Sequence, residues 1–226
     1  MDKYIGIITA IDEEFNAIKN IINNITEEKI YDLLFLKGTI NNKKVILVKC
    51  GIGKVNGART TQILTDKFPL EYIINTGSAG GINNNLQIGD IVVGTKLVQH
   101  DFNTIACGDE RGYITGTGKF FESNNDLINK CKNFELENLK IHIGNIASGD
   151  IFLTEIKMKE KIKKEFDCDC VEMEGASIAQ VCYLNKIPFI VIRSISDIPN
   201  GNNNIDFEKF IKKASQNCAK FVEKIL

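Results

Sequence analysis

What this 226-residue sequence lacks narrows its roles before any motif is read. It has almost no net charge: 28 Lys and Arg against 29 Asp and Glu leave −1 at pH 7, with both signs interspersed. Nucleic-acid binders and proteins held on anionic membranes carry a basic footprint, so nucleic acid is disfavoured as a partner. No apolar stretch approaches the roughly 20 residues that cross a bilayer, so no membrane partner is expected either. Histidine is scarce. His100 and His142 lie far from Cys168-Asp169-Cys170, the one close cysteine pair, whose single-residue spacer is not a zinc spacing. Neither a metal nor a cofactor is expected. No internal repeat and no Pro/Gly/Ser-rich linker divides the chain, so one domain over residues 1–226 is expected.

The seven cysteines are an odd number, and the N-terminal MDKYIGIITAIDEE reads as a first strand and helix, not a secretion signal. A cytoplasmic location is expected, with the cysteines mostly reduced and buried as small hydrophobes. Asparagine runs at 20–24, 83–85 and 202–204 are expected in loops.

Strand and helix signals alternate along the chain. Apolar, β-branched runs predict strands over residues 4–9, 72–76, 90–99, 141–147 and 188–196, the last nearly all apolar and therefore central. Residues 31–37 and 43–49 predict a hairpin around Asn41-Asn42. Helical periodicity covers 13–22, 56–68, 125–134, 156–166, 175–185 and 207–225. The pattern predicts an α/β fold with mixed strand order and helices on both faces.

Five segments could carry chemistry. The strand over 72–76 breaks into NTGSAGG, residues 75–81, which reads as a loop offering bare backbone amides at a strand's carboxyl end. It has no lysine and no GxxxxGK[ST] spacing, so it is not a triphosphate loop; small nucleoside-like ligands suit it better. Asp12, Glu13 and Glu14 stand where a strand ends and a helix begins, a place where the helix dipole and capping also favour carboxylates. Residues 50–57, CGIGKVNG, imitate a dinucleotide loop, but Asn56 occupies the third glycine position, and a tight strand-to-helix turn explains them better. Glu172 and Glu174 are two apart and cannot share a helical face, so at a strand-to-helix junction one can point into a cleft while the other is structural. Asp197 leaves the most apolar strand, which suits either a turn cap or an acid tuned by partial burial.

Taken in order, GIITAIDEE, CGIGKVNGA, INTGSAGG with the following IGDIVV, SGDIF, VEMEGA and IRSISD resemble the bacterial 5′-methylthioadenosine/S-adenosylhomocysteine nucleosidases of the nucleoside phosphorylase superfamily. The resemblance runs from Ile5 to the helix after Phe207, essentially the whole chain. It implies a three-layer α/β/α sandwich around a central mixed, mostly buried sheet, assembled as a homodimer. It also implies hydrolysis of the N-glycosidic bond of 5′-methylthioadenosine and S-adenosylhomocysteine, releasing adenine for methionine salvage and methyl-cycle recycling.

By that resemblance Asp197 is the general acid toward adenine N7, neutral in the complex so that it can donate, and Ser196 orients it. Glu14 activates the water on the opposite side of the scissile bond, as in inverting glycoside hydrolysis. Glu174 accepts from the ribose hydroxyls and Met173 packs on the sugar, beside Glu172. Phe152 stacks on adenine, the Leu153 backbone meets its edge, and Ile52, Ser78, Ala79 and Gly80 line the ribose and base pocket. Phe207 closes it near the 5′ substituent, and Arg193 is open between a structural and a functional role. Thr104, Cys107 and Thr115, in a stretch that in the family feeds a neighbouring subunit's 5′ pocket, and Pro199 after Asp197 depart from the usual pattern. These departures leave the preferred 5′ substituent open. Three rival readings fit the residues less well: a purine nucleoside phosphorylase, which needs cations around phosphate, a silent nucleoside binder, which needs no acid and base, and a nicotinamide oxidoreductase, which needs the missing glycine.

Overall fold

A computed structural model describes residues 3–134, 139–198 and 203–226. β1 (Tyr4–Thr9) leads into α1 (Asp12–Lys19), followed by β2 (Asn23–Ile30), β3 (Leu33–Ile40) and β4 (Lys43–Lys49). Then come α2 (Lys54–Lys67), β5 (Leu70–Gly81), β6 (Ile91–Gln99), a 3-10 turn at Ile105–Cys107 and the short β7 (Phe121–Glu122). The rest alternates: α3 (Asn125–Lys132), β8 (Ile141–Ser148), α4 (Ile156–Phe166), β9 (Cys168–Glu172), α5 (Gly175–Asn185), β10 (Phe189–Asp197) and α6 (Asn203–Ile225).

All ten strands belong to one mixed sheet. β5 organises it. Residues Ile73–Asn75 pair with both β1 and β10, and Gly80 pairs with both β10 and β9. β1 and β9 therefore share one edge of β5 in succession, and β10 occupies the other. Pairings β10–β6, β6–β8 and β8–β9 close the circuit, so half of the sheet curls into a five-stranded ring while β1, β4, β3 and β2 extend as an open wing.

Strand alternation builds the two outer layers. Ile5 and Ile7 of β1, Val45 and Leu47 of β4 and Ile190 and Ile192 of β10 pack with Ile18 of α1 and Phe221 and Val222 of α6. Their neighbours Ile8, Ile46, Val48 and Val191 pack on the other face with Leu64 of α2 and Ile178, Ala179 and Cys182 of α5. The three-layer α/β/α sandwich with a central mixed sheet stands as expected.

Several boundaries differ, for identifiable reasons. The helix expected to reach residue 22 ends at Lys19, and the asparagine run 20–24 enters β2, an edge strand whose residues are mostly exposed on both faces. Asn203 and Asn204 open α6 and are not in a loop; Pro199 and Asn202 lie outside the described residues. The hairpin turn sits at Asn41 and Asn42, with φ of 47° and 64°, the left-handed pair a tight turn demands, but its first strand starts two residues later than expected, at Leu33. β7 and β9 carried no strand signal. The largest correction concerns NTGSAGG. It is not a loop but the second half of β5, because β10 on one edge and β9 on the other draw its backbone into the sheet.

Candidate active site

β1, β4, β5 and β10 run parallel, so their carboxyl ends open at one edge of the sheet. A cavity of about 320 Å³ lies there, within the usual ligand-pocket range of about 300–1,000 Å³. Glu14, Ile52, Ser78, Ala79, Gly80, Phe152, Leu153, Glu172, Met173, Glu174, Ser196, Asp197 and Phe207 all line it. These thirteen candidates from the sequence are thus brought to one cavity, whereas Asp12, Glu13 and Arg193 do not line it. Ala10, Ile11, Ile151 and Val171 line it too and had no separate signal beyond adjacency to named residues.

Glu14, 4% exposed, sits in the first turn of α1 and serves two ends of the structure. Its Oε2 accepts from the Ala10 and Ile11 amides at 2.9 and 3.3 Å, capping the helix. Its Oε1 accepts from the Ser78 amide at 2.8 Å and the Ser78 hydroxyl at 3.0 Å. Capping and placement in the cavity are therefore not alternatives here. Gly77 makes the approach possible, since a Cβ there would lie 2.6 Å from Glu14 Oε1 and 2.5 Å from Arg193 Nη1.

The paired glutamates divide their tasks. Glu172 accepts from the Ser148 hydroxyl, the Glu174 amide at 3.1 Å, the Gly175 amide at 2.7 Å and Arg193 Nη2. Its oxygens thus tie the N-terminus of α5 to the buried guanidinium, which also donates to Asn75 Oδ1 at 2.6 Å. Burial opposes charge on Arg193, but Glu172, Glu174 and Glu14 hold it above even its usual range. Glu174 keeps a lighter set: its Oε1 accepts from the Gly53 amide at 2.8 Å, at a turn where Gly53 adopts φ of 101°. Burial first, and then the neighbouring Glu172 carboxylate, push Glu174 up to about 8 against the pull of Arg193.

Asp197 ends β10 and is 2% exposed. Ser196 Oγ donates to its Oδ1 at 3.0 Å and to the Ala79 carbonyl at 3.3 Å. A residue the sequence reading missed stands behind it: Lys159 of α4, 1% exposed, donates from Nζ to Asp197 Oδ2 at 3.1 Å. A signal existed. Lys159 precedes the buried Ile162 by three residues and Phe166 by seven, which is the apolar face of α4.

The mouth is aromatic. Phe152 and Phe207 meet edge to face with centroids 5.6 Å apart. Lys54 clamps the flanking loops: its amide donates to Asp150 at 2.8 Å and its Nζ to Asp101 at 2.6 Å, while the Asp150 amide donates to Asp101 at 2.9 Å. Burial works against ionised Asp101, but these donors hold its carboxyl below the usual range. Thr104 and Thr115 both donate to Asp109, Cys107 is exposed, and none of the three lines this cavity. Six of the seven cysteines are buried, and among the described residues no group of three candidate ligands could hold a metal.

Comparison with known proteins shows the family. Residues 4–226 match the model of the phosphorylase superfamily. The 5′-methylthioadenosine/S-adenosylhomocysteine nucleosidase of Staphylococcus epidermidis is 41% identical over 220 residues, covering 96% of each chain. A nucleosidase of the same name from Colwellia psychrerythraea, solved in complex with adenine, is 35% identical with a TM-score of 0.95, over 100% of this chain and 95% of that one. The native structure of Helicobacter pylori futalosine hydrolase is 34% identical with a TM-score of 0.94, over 99% and 97% of the two chains. The chain belongs to the phosphorylase superfamily and, within it, to the family of the 5′-methylthioadenosine/S-adenosylhomocysteine nucleosidases.

Proposed function

We propose that this protein is an N-glycosyl hydrolase that splits 5′-methylthioadenosine and S-adenosylhomocysteine into adenine and the 5-substituted ribose. One observation carries hydrolysis over phosphorolysis. The cavity is lined by Glu14, Glu172, Glu174 and Asp197 and, among the described residues, by no lysine, arginine or histidine. Such a wall offers inorganic phosphate none of the cationic donors its recognition calls for. Water is the nucleophile the site suits.

Asp197 protonates N7 of the purine, so that the base leaves as a neutral molecule, and Ser196 fixes the carboxyl plane. Glu14, held from two sides by backbone amides, takes the proton of the attacking water on the far face of the sugar. Glu174 receives the ribose hydroxyls, against which Met173 packs. Glu172 and Arg193 hold the floor that positions Glu174. Phe152 stacks on the base, Leu153 offers its backbone to the base edge, and Ile52, Ser78, Ala79 and Gly80 form the close wall. Phe207 covers the 5′ side. The chain works as one domain in a cytoplasmic homodimer without a cofactor, and the segment carrying Thr104, Cys107 and Thr115 reaches toward the partner subunit.

A second reading is a nucleosidase for another 5′-modified nucleoside, favoured by the likeness to futalosine hydrolase. A substrate panel separates the two. Methylthioadenosine, adenosylhomocysteine, 5′-deoxyadenosine, futalosine and inosine are offered in turn, and release of the free base is followed. Adenine release from the first two supports the primary reading; turnover of futalosine alone replaces it.

A further inference from the structure

α4 carries five lysines, and four of them behave as surface lysines do: Lys157, Lys161 and Lys164 are exposed and Lys163 is half-buried. Lys159 does not. Its ammonium is taken out of water and set 3.1 Å from Asp197 Oδ2. Burying an ion pair brings a desolvation cost that a core of plain hydrophobes avoids, so its retention calls for an account. The pair also poses a chemical problem. An ionised Asp197 beside an ammonium has no proton to give, yet the proposed reaction needs one.

A second opening supplies the missing element. Between α4 and the segment after β5, a groove of about 650 Å³ is lined by Lys159 together with Ile82, Asn84, Glu160, Lys163 and Asp167, of which Asn84, Glu160 and Asp167 are exposed. Asp197 lines the nucleoside cavity, and Lys159 does not. Lys159 therefore stands between solvent and the buried acid. The other ionisable groups facing this route are Glu14, Glu172 and Glu174 in the cavity and Glu160, Lys163, Lys164 and Asp167 in the groove.

We propose that Lys159 supplies the proton that Asp197 gives to the purine, an inference that rests on Asp197 being the acid of the proposed reaction. With a nucleoside in the cavity, an N–H bond of the Lys159 ammonium breaks and an O–H bond forms on Asp197. Asp197 passes its proton to N7 as the C1′–N9 bond breaks, and the bonding electron pair leaves with the base. The neutral Lys159 amine takes a new proton from water in the outer groove. The proton of the attacking water goes to Glu14 and then to solvent, so none is consumed overall. Lys159 acts only through Asp197, as a positioning residue for its proton. The identity of the cation matters here: an arginine would keep the charge but could not release a proton.

The test compares Lys159→Met, Lys159→Arg and Lys159→Ala for adenine release from 5′-methylthioadenosine, with adenine binding by calorimetry as the check on the fold. Lys159→Met is expected to lower kcat by about 10²-fold with KM changed less than about threefold, within the usual worth of a positioned proton donor. Lys159→Arg should be no better. Added methylamine or ethylamine should restore Lys159→Ala through the groove, at rates that follow the acidity of the ammonium, and guanidinium should not. Wild-type turnover in Lys159→Arg would overturn the inference, because charge alone would then suffice; so would wild-type turnover in Lys159→Met, or a Lys159→Ala chain that binds adenine and responds to no amine. Should the Met and Ala chains fail to fold, the Arg chain decides. Asp197→Asn separates the two layers: if it stays active, the reading of Asp197 falls with this inference, and if it is dead while every Lys159 variant is fully active, this inference falls alone.

Discussion

Ser78 meets Glu14 twice, through its amide at 2.8 Å and its hydroxyl at 3.0 Å, both to Oε1. This fastens the first turn of α1 to the second half of β5 and aims one carboxylate at the cavity. The geometry separates what two substitutions do. Ser78→Ala removes only the hydroxyl bond and should cost about 1 kcal/mol of stability with turnover reduced less than tenfold. Glu14→Gln should lower kcat by about 10²–10⁴-fold, because an amide cannot accept the water's proton. Urea unfolding and steady-state kinetics on the two variants check the contrast.

Asp197→Asn should abolish measurable adenine release while leaving adenine binding and the fold in place, since asparagine keeps the Ser196 bond and much of the shape. Activity within tenfold of wild type would remove Asp197 from the acid's role.

Gly77→Ala should destabilise the chain by about 1–3 kcal/mol, the range for forcing an extra carbon into a packed interior. Its Cβ would intrude to 2.5 Å from Arg193 Nη1 and 2.6 Å from Glu14 Oε1. Because both neighbours belong to the site, activity should fall further than the unfolded fraction accounts for. Comparing the thermal midpoint with kcat well below it tests this.

Glu174 links stability to pH. Burial, with Glu172 beside it, raises it from 4.5 to about 8. Between those values the unfolded chain has released a proton that the folded chain still holds, so stability falls as pH rises through the window. Glu174→Gln should flatten that slope. Melting temperatures of the two chains at intervals from about pH 5 to pH 8.5 measure it.

His100 has the opposite sign. It is 0% exposed, neither ring nitrogen has a hydrogen-bond partner among the described residues, and burial pulls the imidazole below its ordinary 6.5. Below about pH 6.5 the unfolded chain takes up a proton that the folded chain refuses, so stability falls as pH drops. His100→Phe should lose this acid limb in the same melting series.

The sequence made the alternating frame legible because β1, β4, β6, β8 and β10 are apolar runs of ordinary strand length, and α3, α4 and α6 have clear helical faces. It hid the elements whose state is decided by neighbours. β2, NNITEEKI, is polar on both faces because it is an edge. β9, CDCVE, is short and carries poor strand formers. NTGSAGG has loop composition, but Gly77 and Gly80 are glycines because Arg193, Glu14 and Asp197 crowd them, not because the chain turns. The candidate site was readable as residues, since carboxylates at strand ends stand out. Which oxygen meets which donor was not, and so neither the division of labour between Glu172 and Glu174 nor the Lys159–Asp197 pair could be seen. Lysine is by default a surface residue, and its place on the apolar face of α4 was the only hint.

The most direct test of the account is whether water alone suffices. Purified protein is given 5′-methylthioadenosine in phosphate-free buffer and then with added phosphate, and both products are identified. Adenine and free methylthioribose at the same rate in both buffers is the predicted result. Cleavage only with phosphate, yielding a ribose 1-phosphate, would contradict it.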